Sequence, residues 1–519
     1  MTASAPVDER TLGEAVRSGL AVHADIQLTV VSDERPADVT LAEIGHEARE
    51  VAAWLQSIGV GPGDVVALQL PNWHEGVVIQ AATMLVGAAV LPIVPTYGPR
   101  ELSFILNDSG AAVVVLAASF RGRARPVTEA DIGELPDVRA IVVVGDDPDG
   151  TLGWADAHGD PSAFVDPDRD PDDVALIVYT SGTTGTPKGV LHSHRSMLAD
   201  TRSPIVSESA GPDSCHLGVF PSGHMAAVNG LLRILVLGTP TVLMDAWDPE
   251  RAARLVDEYS VTATGGAPVH LADFLDARDR GDVRLATLRE YMVGGATVPE
   301  ALVARADAAG IIAYRAYGLS EHPTVSGGSA SDPLAKRGAT DGRVQPGNRV
   351  RIVDDVGQVV PDGVDGNVLT AGAELFRGYR DAALNAAAFD DGWFVTGDIG
   401  NLDTDGYLTI TDRKKDLIVR GGENISSREV EDVLAAHPRI SEAAVVAAPD
   451  RRYGETVAAF VVVRGGGDLG VPELQEHFAA EGVARQKVPT VLRVVSSLPR
   501  TPLGKVAKAA LRDELEAYQ

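Results

Sequence analysis

Residues 174–189 read VALIVYTSGTTGTPKG. The first six, Val174 to Tyr179, form a continuous apolar run, the pattern of a short strand buried on both faces of a parallel sheet. This strand leads straight into a loop dense in glycine and hydroxyl groups with one lysine. Gly182, Gly185 and Gly189 permit close backbone approach, Ser181, Thr183, Thr184 and Thr186 offer donors, and Lys188 adds positive charge, a combination suited to phosphate. It is not a Walker loop, because Pro187 stands where G-x-x-x-x-G-K-[ST] requires its second glycine. Taken alone, such a Gly/Ser/Thr-rich segment is better explained as a generic polar loop.

Ahead of this segment, FVDPDRDPDD (Phe164 to Asp173) is rich in Pro and Asp and reads as a surface connector, so a new sheet unit begins near Val174. Beyond it, apolar runs alternate with helical stretches: TVLMD at 241–245, ERAARLVDEY at 250–259, VTATGG at 261–266 and YMVGG at 291–295. That alternation implies parallel α/β architecture. Near Asp412 the character changes to a charged cluster, DRKKD, and then to the glycine-rich RGGENISS, a composition that fits a hinge. Ser426 and Glu429 have capping-box spacing, which predicts a helix from there toward His437. EAAVVAAP and VAAFVVV supply strands for a small α+β domain. The expected division is residues 1–413 and 414–519. No internal repeat or sizeable low-complexity tract interrupts either part.

A chain of 519 residues exceeds one compact core. With 45% hydrophobic but only 5% aromatic residues, its cores must be built from Ala, Val, Leu and Ile. The net charge of −28 argues against nucleic-acid binding, since no excess of Lys and Arg is there to neutralise phosphates. From Arg413 onward, however, 16 Lys plus Arg face 15 Asp plus Glu, so a polyanionic ligand meets less repulsion at that end. Val77 to Val94 contains Gln80, Thr83, Gly87 and Pro92, and reads as a buried helix and strand rather than a membrane span. The charged start, Met1 to Arg10, carries no secretory signal, which makes the cytosol the expected compartment. A lone cysteine, Cys215, rules out an internal disulfide and a cysteine metal cluster.

Five motifs in order then make YTSGTTGTPKG specific: it resembles the signature loop of the adenylate-forming superfamily of acyl-CoA synthetases, peptide-synthetase adenylation domains and firefly luciferases. Tyr317 to Glu321 (YGLSE) resembles the adenine and magnesium motif, Gly392 to Asp398 (GWFVTGD) the ribose motif, Asp412 to Asp416 (DRKKD) the hinge, and Pro499 to Lys505 (PRTPLGK) the catalytic-lysine motif. The resemblance implies a large N-terminal domain of stacked α/β sheets with a barrel-like subdomain, and a small mobile α+β C-terminal domain. It implies ATP, Mg2+ and coenzyme A. Thr180, Ser181, Gly182, Thr183, Thr184, Gly185 and Lys188 would hold phosphates; Gly294, Gly295 and Ala296 would wall the adenine, with Tyr317, Gly318 and Ser320 beside it. Asp398 would accept from both ribose hydroxyls with Arg413 nearby, and Glu321 with Thr184 would hold Mg2+. Lys505 would neutralise charge as the substrate carboxylate attacks the α-phosphorus. Lys415 would be the pivot that withdraws Lys505 and brings Gly421, Gly422 and Glu423 beside a pantetheine tunnel. His224 matches a histidine at the mouth of the acyl pocket, where it could position substrate, gate the pocket or simply pack.

His192 and His194 (LHSH) lack a third ligand cluster, so structural roles are expected; His46-Glu47 begins like HExxH but has Glu50 where the second histidine belongs. Two departures from the commoner pattern are small: Ser320 for threonine keeps the hydroxyl, and Asp412 stands in place of glycine. Peptide-synthetase domains carry a Phe-Asp pair beside the pocket, whereas this chain has Phe220-Pro221, and RKKDLIVRGGENISSREVE resembles CoA ligases. A free-standing acyl-CoA synthetase of fatty-acid or related lipid metabolism is therefore expected. A carrier-protein-loading enzyme and a catalytically silent adenylate-binding protein are the alternatives, and the silent protein should have lost Lys505, Glu321 or Asp398. The anticipated pocket lining, Met225, Ala226, Val228, Gly295 and Val325, is small and apolar, which implies an uncharged medium-chain, alicyclic or aromatic carboxylic acid. Dimers are frequent in the family, and the sequence leaves the oligomeric state open.

Overall fold

The computed structural model describes residues 9–124, 132–146, 150–181, 187–207, 214–414, 416–420, 423–450, 453–481, 483, 485–501 and 504–517. Two large sheets build the N-terminal domain. In the first, Val65–Gln69, Ala89–Pro92, Ala111–Ala117 and Ala140–Val144 lie parallel and fully or almost fully buried, joined on one edge by Val174–Ser181 and its antiparallel partner Pro187–Ser193. These strands read as unbroken Val, Ile, Leu and Ala runs because helices cover both faces. The stretch 77–94 is helix His74–Val86, left-handed at Gly87, then strand Ala89–Pro92, as its polar interruptions suggest. Among the described residues no helix is long and apolar enough to cross a membrane.

The second sheet has nine strands, with His216–Gly218, Thr241–Met244, Ala263–Gly266, Glu290–Gly294 and Ile312–Leu319 as its parallel centre. Between them runs helix Pro249–Glu258, capped by Asp248, whose carboxylate accepts from the Arg251 N–H. Every strand predicted from the alternating runs is present within a residue or two. The connector 164–173 has no regular structure until a turn at its end, but it is not all surface: the Arg169 side chain is buried and donates to the Met84 carbonyl at the end of helix His74–Val86.

A five-stranded antiparallel sheet follows, built from Asn348–Val353, Gly366–Gly372, Phe389–Asp390, Trp393–Leu402 and Leu408–Arg413. The small C-terminal domain has its own sheet, Ile418–Arg420, Glu423–Ile425, Ile440–Asp450, Gly454–Val463 and Val491–Val494, over a core that includes Val430, Leu434, Val457, Val461 and Phe478. Its first helix is Ser427–Ala436, with His437 as C-cap. Ser426 caps it by accepting from the Glu429 N–H at 3.1 Å, while the Glu429 carboxylate turns to Lys487 (2.6 Å).

Candidate active site

Candidate residues cluster at the carboxyl ends of the parallel strands in the nine-stranded sheet, the ends where open α/β sheets place ligands. Glu290–Gly294 ends in Gly294, Gly295 and Ala296. Gly295 sits at φ +77° with open space where a side chain would be, and Ala296 is exposed, so this turn presents bare backbone. Ile312–Leu319 turns at Ser320-Glu321 into His322–Gly327. At Gly318 a Cβ would lie 1.8 Å from the Pro323 carbonyl oxygen, so only glycine closes that hairpin.

Three groupings of the predicted residues result. Asp398, 3% exposed, accepts from the Tyr317 hydroxyl at 2.6 Å and pairs with Arg413 at 3.1 Å across adjacent strands. Arg413 keeps half of its side-chain surface open within a crowded cleft. Desolvation there opposes its charge, yet Asp398, Tyr317, Asp416 and Glu321 together hold its pKa above the usual value. A fixed, paired carboxylate of this kind can accept hydrogen bonds from a vicinal diol. In the second grouping, Lys188 lies over the Tyr379 ring, 5.5 Å from its centroid, and the Tyr379 hydroxyl donates to Glu321 at 2.6 Å. The phosphate-type loop and the Glu321 hairpin therefore meet at one aromatic ring. Thr180 opposes Lys188 in the strand pairing and Ser181 opposes Pro187. Residues 182–186, including Gly182, Thr183, Thr184 and Gly185, lie outside the described residues, as do Lys415, Gly421 and Gly422; Glu423 opens a strand paired to Arg420.

The third grouping spans the two domains. His224 is the N-cap of helix Met225–Leu237: its Nδ1 accepts from the Ala226 N–H at 3.1 Å, and its ring stacks on Phe220 (centroids 4.8 Å, 8° between planes). Burial, with the nearby Lys505 ammonium and His270 adding to it, drives the imidazole pKa down to about 3. His224 is therefore neutral at physiological pH and cannot act there as an acid. Lys505 follows Gly504, at φ +80°, in a tight hairpin closed by an Arg500–Val506 bridge, and its backbone carbonyl accepts from the Thr501 N–H at 2.7 Å.

Phe220 also lines a cavity of about 130 Å³ that runs along helix Met225–Leu237. Of the anticipated lining, Ala226 and Val228 border it. Met225 packs into the N-terminal core, Val325 packs against Ile352 and Leu408, and Gly295 lies at the exposed turn, so these three stand apart from it. The lining is also less apolar than anticipated, because Asn229 and Arg233 face the cavity from successive turns of that helix. His192 and His194 are fully buried and serve structure. The Ser320 carbonyl is 2.7 Å from His192 Nε2, and His194 Nδ1 accepts from the Leu12 N–H. Tyr379, Asn229 and Arg233 gave no sequence signal, because neither a strand tyrosine nor a helical polar residue announces which side it faces.

Residues 21–380 match the profile of AMP-binding enzymes and residues 429–505 that of the AMP-binding enzyme C-terminal domain. The chain is 33% identical to the medium-chain fatty-acid–CoA ligase of Escherichia coli over 93% of its own length and 87% of that protein's. It is 34% identical to a 3-[(3aS,4S,7aS)-7a-methyl-1,5-dioxo-octahydro-1H-inden-4-yl]propanoyl:CoA ligase of Rhodococcus jostii, over 94% and 96% of the two chains. Among solved structures, the amide bond synthetase McbA of Marinactinospora thermotolerans superposes with a TM-score of 0.84 at 27% identity, covering 97% of this chain and all of the other. The chain belongs to the AMP-binding enzyme family, in its acyl-CoA ligase branch.

Proposed function

We propose that this ligase joins a medium-chain, alicyclic or aromatic carboxylic acid to CoA in two steps at one nucleotide site. The acid's carboxylate oxygen attacks the α-phosphorus of ATP, giving the acyl-adenylate and pyrophosphate; the CoA thiol then attacks the acyl carbon and releases AMP. The observation that carries this reading is the meeting of Lys188 and Glu321 at the Tyr379 ring, with the Lys505 ammonium near enough to His224 to help lower its pKa. In that position an ammonium would meet both the substrate carboxylate and the α-phosphate, offsetting charge as the P–O bond forms. Neutral His224 would shape the cavity mouth without moving a proton. The exposed backbone at Gly294 to Ala296 would flank the adenine, Asp398 would take the ribose hydroxyls, and Lys188 with Thr180 and Ser181 would face the phosphates. Mg2+ is commonly held by one or two carboxylates plus substrate phosphates, and the single carboxylate Glu321 suits that donor set, with Thr184 as its expected partner. The metal would neutralise charge on the phosphates.

For the second step, the domain 414–519 would turn about Lys415, withdraw Lys505 and bring Gly421, Gly422 and Glu423 beside the thiol's path. Exclusion of water then protects the mixed anhydride from hydrolysis. We place this chemistry in the cytosol, with ATP, CoA and the acid as the only required partners.

Mass spectrometry of reactions with ATP, Mg2+, CoA and a panel of aliphatic, alicyclic, aromatic and sterol-derived acids tests the proposal. Acyl-CoA with stoichiometric AMP is the expected result. Adenylate without thioester would move the acceptor to an amine or a carrier protein, a reading that the resemblance to an amide bond synthetase keeps in view. Absence of turnover with every acid would overturn the enzyme reading.

A further inference from the structure

Tyr379 touches two residues expected at the nucleotide site, yet no motif in the chain singles it out. Its strand, Gly378–Tyr379, pairs with Pro187–Ser193 and sets Tyr379 opposite Val190, which shares a strand face with Lys188 two residues earlier. The tyrosine ring stands edge-on to Phe376 (centroids 5.0 Å, 71° between planes), and Phe376 is buried with Val190, Ala388 and Phe394. Asn385 Oδ1 accepts from the Tyr379 N–H at 2.8 Å, and the Phe376 N–H donates to the Glu321 carbonyl at 2.9 Å. Tyr379 is thus fixed by the sheet on one side and tied to the Glu321 hairpin on the other. Its hydroxyl holds a set position against that carboxylate.

The contact divides the two oxygens of Glu321. Oε1 accepts from the Tyr379 hydroxyl at 2.6 Å, whereas Oε2 accepts no hydrogen bond among the described residues. A hydroxyl proton on Oε1 competes with any cation for that atom, so the carboxylate offers one oxygen outward. Among the described residues no group of three or more His, Cys, Asp and Glu side chains is arranged to hold an ion. A cation on the nucleotide would therefore draw its other ligands chiefly from phosphates and water.

We propose that Tyr379 is a positioning residue that sets the metal specificity of the nucleotide site, by keeping Glu321 a one-oxygen ligand. This inference rests on the ligase reading, in which Glu321 serves the cation on ATP. Mg2+ demands near-ideal octahedral geometry, keeps several waters and takes one or two carboxylates beside the phosphates. Ca2+ takes roughly six to eight oxygens and accepts both oxygens of one carboxylate. A single fixed oxygen completes the smaller ion and under-fills the larger. Without the hydroxyl, Glu321 is free to turn and present both oxygens, which relaxes the choice.

The test measures, by calorimetry, binding of an ATP analogue whose α- and β-phosphorus are joined by a methylene group, so that pyrophosphate cannot leave. Affinities are compared with saturating Mg2+, with saturating Ca2+ and with EDTA, in the wild-type enzyme, Tyr379→Phe and Glu321→Gln. The wild type should bind the Mg2+ complex at least about 10-fold more tightly than the Ca2+ complex, the scale of one charge-assisted contact. Tyr379→Phe keeps the ring beneath Lys188, so its affinity in EDTA should match the wild type, which shows that it folds. Its ratio of Mg2+ to Ca2+ affinity should fall by about 10-fold, as when the hydrogen-bond partner of a metal ligand is removed. Glu321→Gln retains an acceptor for the Tyr379 hydroxyl but loses the charged oxygen, and it should lose the ratio as well. Equal affinity for the two complexes in the wild type, or an unchanged ratio in either variant, would overturn the proposal. Failure of the wild type to bind the analogue under all three conditions would instead remove the ligase reading, and this proposal with it.

Discussion

At the scale of single residues, the catalytic weight of the proposed reaction falls on Lys505. Removing a preorganised charge at a developing anion costs roughly 10²- to 10³-fold in rate. Lys505→Ala should therefore abolish most ATP–pyrophosphate exchange yet spare thioester formation from a supplied acyl-adenylate; equal loss in both assays would sink the two-position mechanism. Asp398→Asn keeps the shape of its site but gives up the charge that pairs with Arg413 and accepts from Tyr317. Its signature should be a raised KM for ATP, on the order of 10-fold, the scale of a lost charge-assisted hydrogen bond. An unchanged KM would detach Asp398 from the nucleotide.

Among elements, the hairpin that carries Glu321 is held by close contact rather than by side-chain packing. Gly318→Ala places a methyl against the Pro323 carbonyl oxygen, so the strands must part. Overpacking of this kind costs about 1 to 3 kcal/mol. Adenylation should fall more steeply than thermal stability, and an active Gly318→Ala enzyme would show that the hairpin tolerates opening. The junction between domains has a comparable device. Asp412, the residue that departs from the commoner glycine, is buried and accepts from the Ser427 N–H at 2.8 Å, tying the last strand of the antiparallel sheet to the first helix of the C-terminal domain. Asp412→Ala should destabilise the pose with Lys505 inward by about 1 kcal/mol, the worth of a capping carboxylate. Partial slowing of adenylation with thioester formation preserved is the expected reading.

For the whole molecule, buried histidines set the acid limit. His192, His194, His270 and His322 are depressed to about 4 and His224 to about 3, in each case chiefly by burial. Below pH 6.5 the unfolded chain binds protons at these sites that the folded chain does not. Their stabilisation is thus complete above about 6.5 and is lost as pH falls toward 4, at about 1.4 kcal/mol per pH unit for each proton. Asp200, raised to about 6 by burial, and Glu374, raised by burial with Asp200 beside it, act in the opposite direction and offset part of the loss. Melting temperature should therefore fall steadily from pH 7 to 4.5; a flat profile would mean that the imidazoles reach solvent. Domain movement also belongs at this scale. Lys415→Pro should leave pyrophosphate exchange measurable and thioester formation poor, because proline removes the backbone rotation that the swing needs; two intact half-reactions would place the pivot elsewhere.

The strand Val174–Ser181, the parallel centre of the nine-stranded sheet and the helix after Ser426 were legible in the chain because periodicity, caps and apolar runs are local properties. Contiguous motifs likewise let the chain nominate Asp398, Glu321 and Lys505 as candidates. Pairings between distant segments were not legible: Lys188 over Tyr379, His192 on the Ser320 carbonyl, and Asp412 under the Ser427 N–H join residues 15 to 191 positions apart. The cavity is the sharpest case. Met225 and Val325 look like acyl contacts in the sequence but turn into cores, while Asn229 and Arg233, the two polar residues of a largely apolar helix, face inward to a cavity. Which side of a helix meets a void depends on the elements packed around it, and only the tertiary structure brings those together.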